Sequence, residues 1–377
     1  MTSGSARNGT VVRLLIVARH FPPAVSGGAR RPHYIARELV AQGHEVCVIA
    51  PEPSPGVPVA VVAHHHVGPD LAAPVTRASD ARSYLRRWML PDPDIRWALR
   101  ASRVALPFAP DWIHTTSPPE SSHVAGWLLK RRFRCRWSAD FRDHWLDHPL
   151  YGVRARGGPR VAIERKLARV LLRRADVLMA TTDSIAGEIS RLTGGDRTVS
   201  VLEHAADPPP EPAPLEDEAI HIVHTGSFAL SDPGRGIAPV LEGFAAAGDD
   251  RLRLHLIGYL REDERALVAA SPASSRIVVH GALDYEIARS FQAAADILLL
   301  VTAPDAAHVP GKLAEYRTAA KPILAIGGGA WLDQAQIEAF SDAKEAFANL
   351  DRIAALGGGP TPAASAERFL SILRATA

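Results

Sequence analysis

The chain alternates between short apolar runs and longer segments in which apolar residues recur every three or four positions. Residues 11–18, 219–224 and 295–301 are almost unbroken apolar runs, as expected of strands covered on both faces. The longer segments that follow such runs predict amphipathic helices. Strands alternating with helices in this way are typical of parallel sheets, so the pattern predicts an α/β fold.

The pattern is interrupted once. Residues 201–218 carry five prolines among acidic residues and show no periodicity, which is typical of a linker. We therefore predict an N-terminal domain over residues 1–205, a linker over 206–218 and a C-terminal domain over 219–361. Residues 362–377 form a separate amphipathic helix in this prediction.

Composition narrows the functional classes. The 377 residues include 43 basic and 41 acidic ones, so the total charge indicates no nucleic-acid binding. Two cysteines argue against a disulfide-stabilised secreted domain. No apolar run is long enough to span a membrane, and none resembles a secretory signal. We expect a cytoplasmic protein.

The stretch from residue 295 to 329 carries the main candidate site. A buried strand leads through a loop to a helix that begins near Pro310, with Lys312 and Glu315 in its first turns. A helix start beyond a parallel strand favours phosphate, and Lys312 adds a full positive charge. Glu315 lies on the same helical face and could bind hydroxyl groups. The alternative is an ordinary helix with a surface ion pair.

Two glycine-containing loops are further candidates for phosphate or sugar contacts. Gly27-Gly28 precedes a helix that the sequence predicts to open at Pro32, and it does not match the dinucleotide-binding glycine pattern. A loop at residues 225–236 combines small residues with Arg235 just before another helix. A merely flexible loop remains the alternative for the glycine pair.

Residues 140–145, with the sequence Asp-Phe-Arg-Asp-His-Trp, form a dense polar cluster after a predicted strand. Desolvating two carboxylates, an arginine and a histidine is costly unless they are paired. The cluster is therefore either a functional site or a structural Arg–Asp network.

Three other features give weaker indications of function. The run of histidines at residues 64–66 lacks ligand spacing for a metal. Asp92-Pro93-Asp94 has the D-x-D spacing of some metal sites, but it lies between basic, aromatic segments and does not end a hydrophobic strand. Residues 83–103 are basic and aromatic, and fit either a surface helix pair or weak contact with an anionic membrane.

Two motifs carry a family resemblance. Residues 139–145 read A-D-F-R-D-H-W, and residues 309–316 read V-P-G-K-L-A-E-Y, followed by A-K-P-I-L at 320–324. From about residue 11 to 329 the chain resembles bacterial retaining GT-B glycosyltransferases of family 4. The resemblance implies two Rossmann-like α/β domains facing across a cleft, with the C-terminal helix returning to the first. It also implies transfer of a sugar with retention, from a nucleoside-diphosphate sugar to an envelope glycan or a specialised metabolite, without cofactor or metal.

The resemblance assigns roles to individual residues. Donor contacts are expected from both domains, and acceptor contacts from the first. The donor-binding residues implied are Gly27, Gly28, Ser227, Arg235, Gly281, Leu283, His308, Gly311, Lys312, Leu313 and Glu315. His114, Arg142 and His144 are the acceptor-binding candidates, and Asp143, Lys312 and Arg235 the catalytic ones, with Asp143 orienting hydroxyl groups.

One position departs from the family pattern. Ala307 stands eight residues before Glu315, where many members carry the first glutamate of an E-x7-E motif. The missing glutamate leaves open a catalytically inactive nucleotide-sugar binder or partner subunit. A nucleotide-sugar epimerase of the same fold is the other alternative. Peripheral contact with the inner membrane surface and the oligomeric state also stay open.

Overall fold

A computed structural model describes residues 10–24, 27–63, 89–147, 158–215, 218–229, 234–306, 309–329, 331–356 and 358–376. The histidine run at 64–66 and residues 83–88 of the basic, aromatic segment lie outside these ranges. The chain divides into two compact units, one formed by residues 1–203 with 362–377 and the other by residues 204–361. No helix in the described ranges combines the length and apolar character that a membrane crossing requires.

The first unit is a seven-stranded parallel sheet in the order β3-β2-β1-β4-β5-β6-β7. Its strands are β1 (Arg13–Val17), β2 (Glu45–Ala50), β3 (Val59–Val61), β4 (Trp112–Ser117), β5 (Arg136–Phe141), β6 (Val177–Ala180) and β7 (Ser200–Val201). The helices are α1 (Gly27–Ala41), α2 (Ile95–Ala101), α3 (Ser121–Phe133), α4 (Gly158–Leu172) and α5 (Asp183–Thr193). Apolar strand residues such as Leu15 and Ile113 are completely buried, which explains the unbroken apolar runs.

The second unit is a six-stranded parallel sheet in the order β10-β9-β8-β11-β12-β13. Its strands are β8 (Ile220–Thr225), β9 (Leu252–Ile257), β10 (Ile277–Gly281), β11 (Ile297–Val301), β12 (Ile323–Ile326) and β13 (Ala339–Phe340). The helices are α6 (Ala238–Ala246), α7 (Glu262–Ala270), α8 (Tyr285–Ala294), α9 (Lys312–Ala319), α10 (Trp331–Ala335) and α11 (Ala343–Ala348), with 3-10 turns at Ser274–Arg276 and Leu350–Arg352. Each sheet runs outward in two directions from one central strand pair, the doubly wound arrangement.

The terminal helix α12 (Pro362–Arg374), predicted to return to the first domain, packs against α1 there. Its Phe369 is completely buried and meets the ring of His114 edge-on at 4.8 Å. The helix therefore completes the core of the first unit.

Two sequence predictions differ from the structure. Helix α1 begins at Gly27, five residues before the predicted opening at Pro32. A helical turn can precede a proline, at the cost of one backbone hydrogen bond and of crowding between its ring and the carbonyl four residues earlier. The proline-rich segment packs onto the second unit, because the Ala206 and Ala213 amides donate to the carbonyls of Pro360 and Ser290.

Candidate functional site

The candidate site of the second unit lies where β8 and β11 separate the two directions of its sheet. Ligands of doubly wound sheets bind beyond the carboxyl ends of the strands at this switch point. Strand β8 ends there at Thr225, and α9 begins nearby with Lys312. The Lys312 Nζ donates to Thr225 Oγ1 at 3.3 Å, so the cation lies at the carboxyl end of β8.

Two glycines allow the backbone to approach Lys312 closely at this edge of the sheet. Gly226 has a φ of +121°, and a Cβ there would come within 2.5 Å of Lys312 Cε. A Cβ on Gly258, which follows β9, would lie 2.3 Å from the Gly226 carbonyl oxygen. The backbone can therefore fold back closely beside the lysine, and a bulky ligand finds few side chains in its way.

Glu315 belongs to a buried polar network. Its Oε2 accepts from Gln292 Nε2 at 3.0 Å, and the same amide nitrogen donates to Thr225 Oγ1 at 2.9 Å. Glu315 is only 6% exposed and Gln292 only 1%. Through Thr225, the network links Glu315 to Lys312, so the two residues singled out by sequence do converge on one place.

The hydroxyl group of Tyr316 anchors this network to the two central strands. It accepts from the Thr225 backbone N–H at 3.2 Å and donates to the Leu299 carbonyl at 3.3 Å. Burial raises the pKa of the Tyr316 phenol to about 12, so it stays neutral. Tyr316 thereby ties the start of α9 to both central strands.

Two cations act on the same buried histidine. His224 donates from Nδ1 to the Leu299 carbonyl at 2.9 Å, so Nδ1 is the protonated nitrogen. Burial, with the charges of Lys312 and Arg235, lowers the pKa of His224 to about 3. The Arg235 guanidinium also donates to the Ser227 carbonyl at 3.4 Å. Lys312 and Arg235 therefore concentrate positive charge around one neutral ring.

The other donor residues suggested by sequence surround this centre or lie outside the description. Gly311 precedes the first residue of α9, and Leu313 is buried. Gly281 ends β10 with a φ of +74°, and its carbonyl accepts from the Gly258 amide at 2.7 Å. Leu283 packs against the core. His308 and Ala307 fall outside the described residues.

Sequence reasoning missed Gln292 and did not single out Thr225. Both carry a signal in hindsight: Gln292 is a polar residue at an inward position of the amphipathic helix α8, and Thr225 ends a buried strand. A buried polar side chain usually marks a hydrogen-bond network.

The equivalent place in the first unit is filled by an arginine. Arg142 donates through Nε to the Ser117 carbonyl at 3.0 Å and through Nη2 to the Pro118 carbonyl at 2.8 Å. A Cβ on Gly28 would lie 2.1 Å from Arg142 Nη1. The glycine pair at the start of α1 thus makes room for this side chain. Arg142 is 8% exposed, so it offers an acceptor little surface.

The same cluster of the first unit contains a fully buried ion pair. The Arg31 guanidinium donates to Asp140 through two nitrogens, at 2.7 and 2.9 Å, and both side chains are completely buried. Arg31, His114 and Arg142 hold the pKa of Asp140 at about 2 against the opposing effect of burial. This pair is the structural Arg–Asp network that the sequence left open as an alternative for the cluster.

The two histidines proposed for the acceptor have internal partners. His114 is completely buried, hydrogen-bonds Ser138 Oγ at 2.9 Å and has its pKa lowered to about 4, chiefly by burial. His144 is 6% exposed and pairs with Glu188 at 2.6 Å. Neither ring offers a surface to an acceptor in this arrangement, which argues against both assignments.

Asp143 differs from its neighbours. It is half-buried and, within the described part of the chain, has no hydrogen bond or ion pair. Burial and the nearby carboxyls of Asp92 and Asp143 raise the pKa of Glu120 well above its ordinary value. Asp143 therefore remains the carboxylate of the cluster that a ligand could engage.

Both carboxylates of Asp92-Pro93-Asp94 have partners within the protein. Asp92 accepts from the Ser121 amide at 2.7 Å at the start of α3, and Asp94 pairs with Arg19 at 3.1 Å. Among the described residues, no group of three or more His, Cys, Asp or Glu side chains is arranged to hold a metal ion.

Comparison with known proteins supports this description. Residues 26–203, somewhat less than half of the chain, match the family model described as "Glycosyl transferase 4-like domain". No curated protein sequence matches the chain significantly.

Solved structures match along almost the whole chain. The Anabaena protein HepE in complex with UDP-glucose has a TM-score of 0.57 at 13% identity, covering 97% of this chain and 98% of its own. A glycosyltransferase from Rickettsia africae reaches 0.66 at 12% identity, covering 98% and 99%. The UDP-GlcNAc 2-epimerase of Methanocaldococcus jannaschii reaches 0.57 at 12% identity, covering 96% and 99%. The chain therefore has the GT-B fold.

Proposed function

We propose that the chain is a glycosyltransferase, which moves a sugar from a nucleoside-diphosphate sugar to a hydroxyl group or another nucleophile of an acceptor. The observation that carries the proposal is the convergence of Lys312, Thr225 and Glu315 at the switch point of the second sheet. The similarity of residues 26–203 to a glycosyl transferase 4-like domain supports it, as does the UDP-glucose complex of the fold relative.

The charges suit a diphosphate leaving group. Breaking the sugar–phosphate bond builds negative charge on the diphosphate and positive charge on the anomeric carbon. Lys312, Arg235 and the positive end of the α9 dipole would offer fixed positive charge where the negative charge grows. Because these groups are already oriented, they stabilise the transition state without reorganising.

Glu315 would bind the ribose of the nucleotide. Gln292 holds one of its carboxylate oxygens, which orients the group. A carboxylate accepts charge-assisted hydrogen bonds from the two ribose hydroxyls. In this proposal Glu315 fixes the nucleoside and Lys312 the diphosphate.

We further propose that transfer proceeds with retention and without a metal ion. The proposed cations take the place that a divalent ion would otherwise fill beside the diphosphate. Asp143 would orient the acceptor or sugar hydroxyls, because it is the half-buried carboxylate without an internal partner among the described residues. The acceptor would be an envelope glycan or a specialised metabolite.

Reduced cysteines agree with a cytoplasmic reaction. Cys47 and Cys135 are both free thiols, and reduced thiols are the rule in the cytoplasm. We therefore place the proposed reaction there.

An epimerase is the second candidate, because a UDP-GlcNAc 2-epimerase shares the fold at similar TM-score. The match of the first unit to a glycosyl transferase 4-like domain favours transfer. An inactive binder with the same donor site is the third reading. Only a transferase requires an acceptor for nucleotide release to become fast.

The experiment has two stages. Thermal-shift screening with UDP, GDP, dTDP and ADP identifies the nucleotide, because a ligand specific for the folded state raises the melting temperature. The matching nucleotide-sugar is then incubated with acceptor extracts, with and without EDTA, and products are followed by mass spectrometry and anomeric NMR. Acceptor-dependent release that survives EDTA and gives a retained linkage supports the proposal. Release of altered free sugar without acceptor, or full dependence on added Mg²⁺ or Mn²⁺, contradicts it.

A further inference from the structure

A group of basic side chains in the first unit lies away from the candidate site. A cavity of about 1020 Å³ opens at the amino ends of β5 and β6, the edge of the sheet opposite to its switch point. Seven basic side chains and one acidic side chain line it, which gives the lining a net charge of +6. The whole chain carries only +2, so the rest of the molecule sums to −4. Positive charge is thus gathered on one face.

Several of the basic side chains have structural partners. Lys130 binds the Asp176 carboxylate and the Arg174 carbonyl, and Arg197 donates to the Ala175 carbonyl at 2.7 Å. Cations at helix C-termini also complement the helix dipole. These contacts explain why basic residues collect at the ends of α3 and α4.

Arg131 and Arg134, also at the end of α3, differ in lacking such side-chain partners within the described ranges. Both are exposed, and neither has a hydrogen bond or an ion pair within the described ranges. Arg131 lies over the Trp127 ring at 5.5 Å, with Arg174 also over that ring at 5.4 Å. Because the Arg131 guanidinium contacts only the indole ring among the described residues, its N–H donors remain available for an anion.

The neighbouring helix α4 adds an apolar component. Ile163 and Val170 are 51% and 46% exposed and lie seven residues apart, so they share one face of α4. Lys166 lies between them and is also exposed, whereas the acidic Glu164 is buried. Val170 comes one turn before Arg174, which lines the basic cavity, so the apolar face of α4 adjoins that cavity.

We propose that this basic cavity and the exposed face of α4 dock on anionic phospholipid headgroups at a membrane surface. Arginine clusters bind phosphate groups bidentately, and exposed aliphatic side chains on a cationic helix enter the headgroup layer. A nucleic acid would satisfy the charges but gives Ile163 and Val170 no apolar environment. The proposal goes beyond glycosyl transfer and is tested without measuring it.

The test is flotation of the full chain with vesicles of phosphatidylcholine alone or with about one third phosphatidylglycerol. The parent should bind only the anionic vesicles, and binding should weaken as salt rises. The double variant Arg131→Glu with Arg134→Glu should lower the partition coefficient at least about 30-fold, since each lost cation near the surface contributes about fivefold. Exposure of both residues makes unfolding of this variant an improbable cause, and circular dichroism verifies its fold.

The matched control is Lys344→Glu with Arg352→Glu in the second unit. Both residues are exposed, and the change in net charge is identical. The control should bind vesicles as the parent does. Equal losses in both double variants would show a nonspecific effect of net charge and overturn the proposal, as would absence of parent binding.

A third variant distinguishes the membrane from other polyanions. Val170→Ser should weaken vesicle binding further than it weakens binding to duplex DNA or inorganic polyphosphate. If the parent binds those polyanions as tightly as vesicles and Val170→Ser changes neither, the site recognises phosphate in general, and the membrane assignment is wrong.

Discussion

The two units share one topology but use their switch points differently. In the first unit the switch point is filled by Arg142, which donates to backbone carbonyls, above the buried pair of Arg31 and Asp140. In the second unit Lys312 reaches a threonine hydroxyl beside two glycines and a helix start. The first arrangement neutralises its own charge, whereas the second offers positive charge to an anion.

This difference teaches that topology marks where a ligand can bind, and side chains decide whether one does. A guanidinium that is surrounded by protein acceptors has little left to offer to a phosphate. A lysine beside glycine backbone, with a long 3.3 Å contact to a hydroxyl, keeps its charge at the edge where the proposed site would hold a diphosphate. The predictions below are arranged to break that contrast, beginning with the largest effect.

The largest effect should come from Asp140→Asn in the first unit. The change leaves Arg31 charged and completely buried, so the free energy of unfolding should fall by about 3–5 kcal/mol. Urea denaturation measures it. Asp111→Asn is the control, because its pair with Arg13 is more than 40% exposed and should contribute about 1 kcal/mol or less. Equal losses in both variants would mean that the buried pair contributes no more to stability than the exposed one.

The next effect concerns Glu315→Ala. Charge-assisted hydrogen bonds to ribose hydroxyls are worth about 1.5–3 kcal/mol, so affinity for the nucleoside and for its diphosphate should both fall about 10- to 150-fold. Isothermal titration calorimetry measures the two affinities. Glu345→Ala, on an exposed position of α11, provides the control. Unchanged binding of both ligands by Glu315→Ala would remove the centre of the proposed donor site.

Asp143→Asn tests whether the first unit keeps any chemical role. With no internal partner to lose among the described residues, the variant should retain its melting temperature and nucleotide affinity. Turnover should fall about 10- to 100-fold, as expected when a group that positions a reacting hydroxyl loses its charge. A lowered melting temperature with normal turnover would instead make Asp143 part of the structural network.

Lys312→Met should have a narrower effect on binding than Glu315→Ala. Loss of the cation should weaken the diphosphate about tenfold and leave the nucleoside unchanged, with a further loss in kcat because negative charge grows at the diphosphate. Lys321→Met, just beyond the same helix, is the control. If nucleoside binding falls as much as diphosphate binding, Lys312 acts by holding the helix start and not through its charge.

The smallest effect is a pH dependence shared by the two units. Burial lowers the pKa of His114 to about 4 and of His224 to about 3, whereas the unfolded chain binds a proton near pH 6.5. Stability should therefore fall as pH decreases below about 6.5, by about 1 kcal/mol per histidine between pH 7.5 and 5.5. His224→Asn keeps a donor for the Leu299 carbonyl and should make the pH dependence of the second unit shallower. A parallel curve for parent and variant would contradict this.

Much of the architecture could be predicted from local pattern. Strands β1 (Arg13–Val17), β8 (Ile220–Thr225) and β11 (Ile297–Val301) lie on the apolar runs at 11–18, 219–224 and 295–301 that predicted strands. Thr182 caps α5 by accepting from the Ile185 amide at 3.2 Å, as threonine before a helix commonly does. Periodicity and capping depend on neighbours in sequence, which is why a single chain suffices to read them.

The contacts that distinguish the two switch points were decided by the tertiary structure. Lys312 and Glu315 stood out in the sequence, but their connection through Thr225 and Gln292 joins residues up to 90 positions apart along the chain. The cluster at 140–145 could be read either as a site or as a network, and only the partner Arg31, 109 residues away, separated Asp140 from Asp143. Burial and pairing of charges depend on which distant segments meet, and no local pattern carries that information.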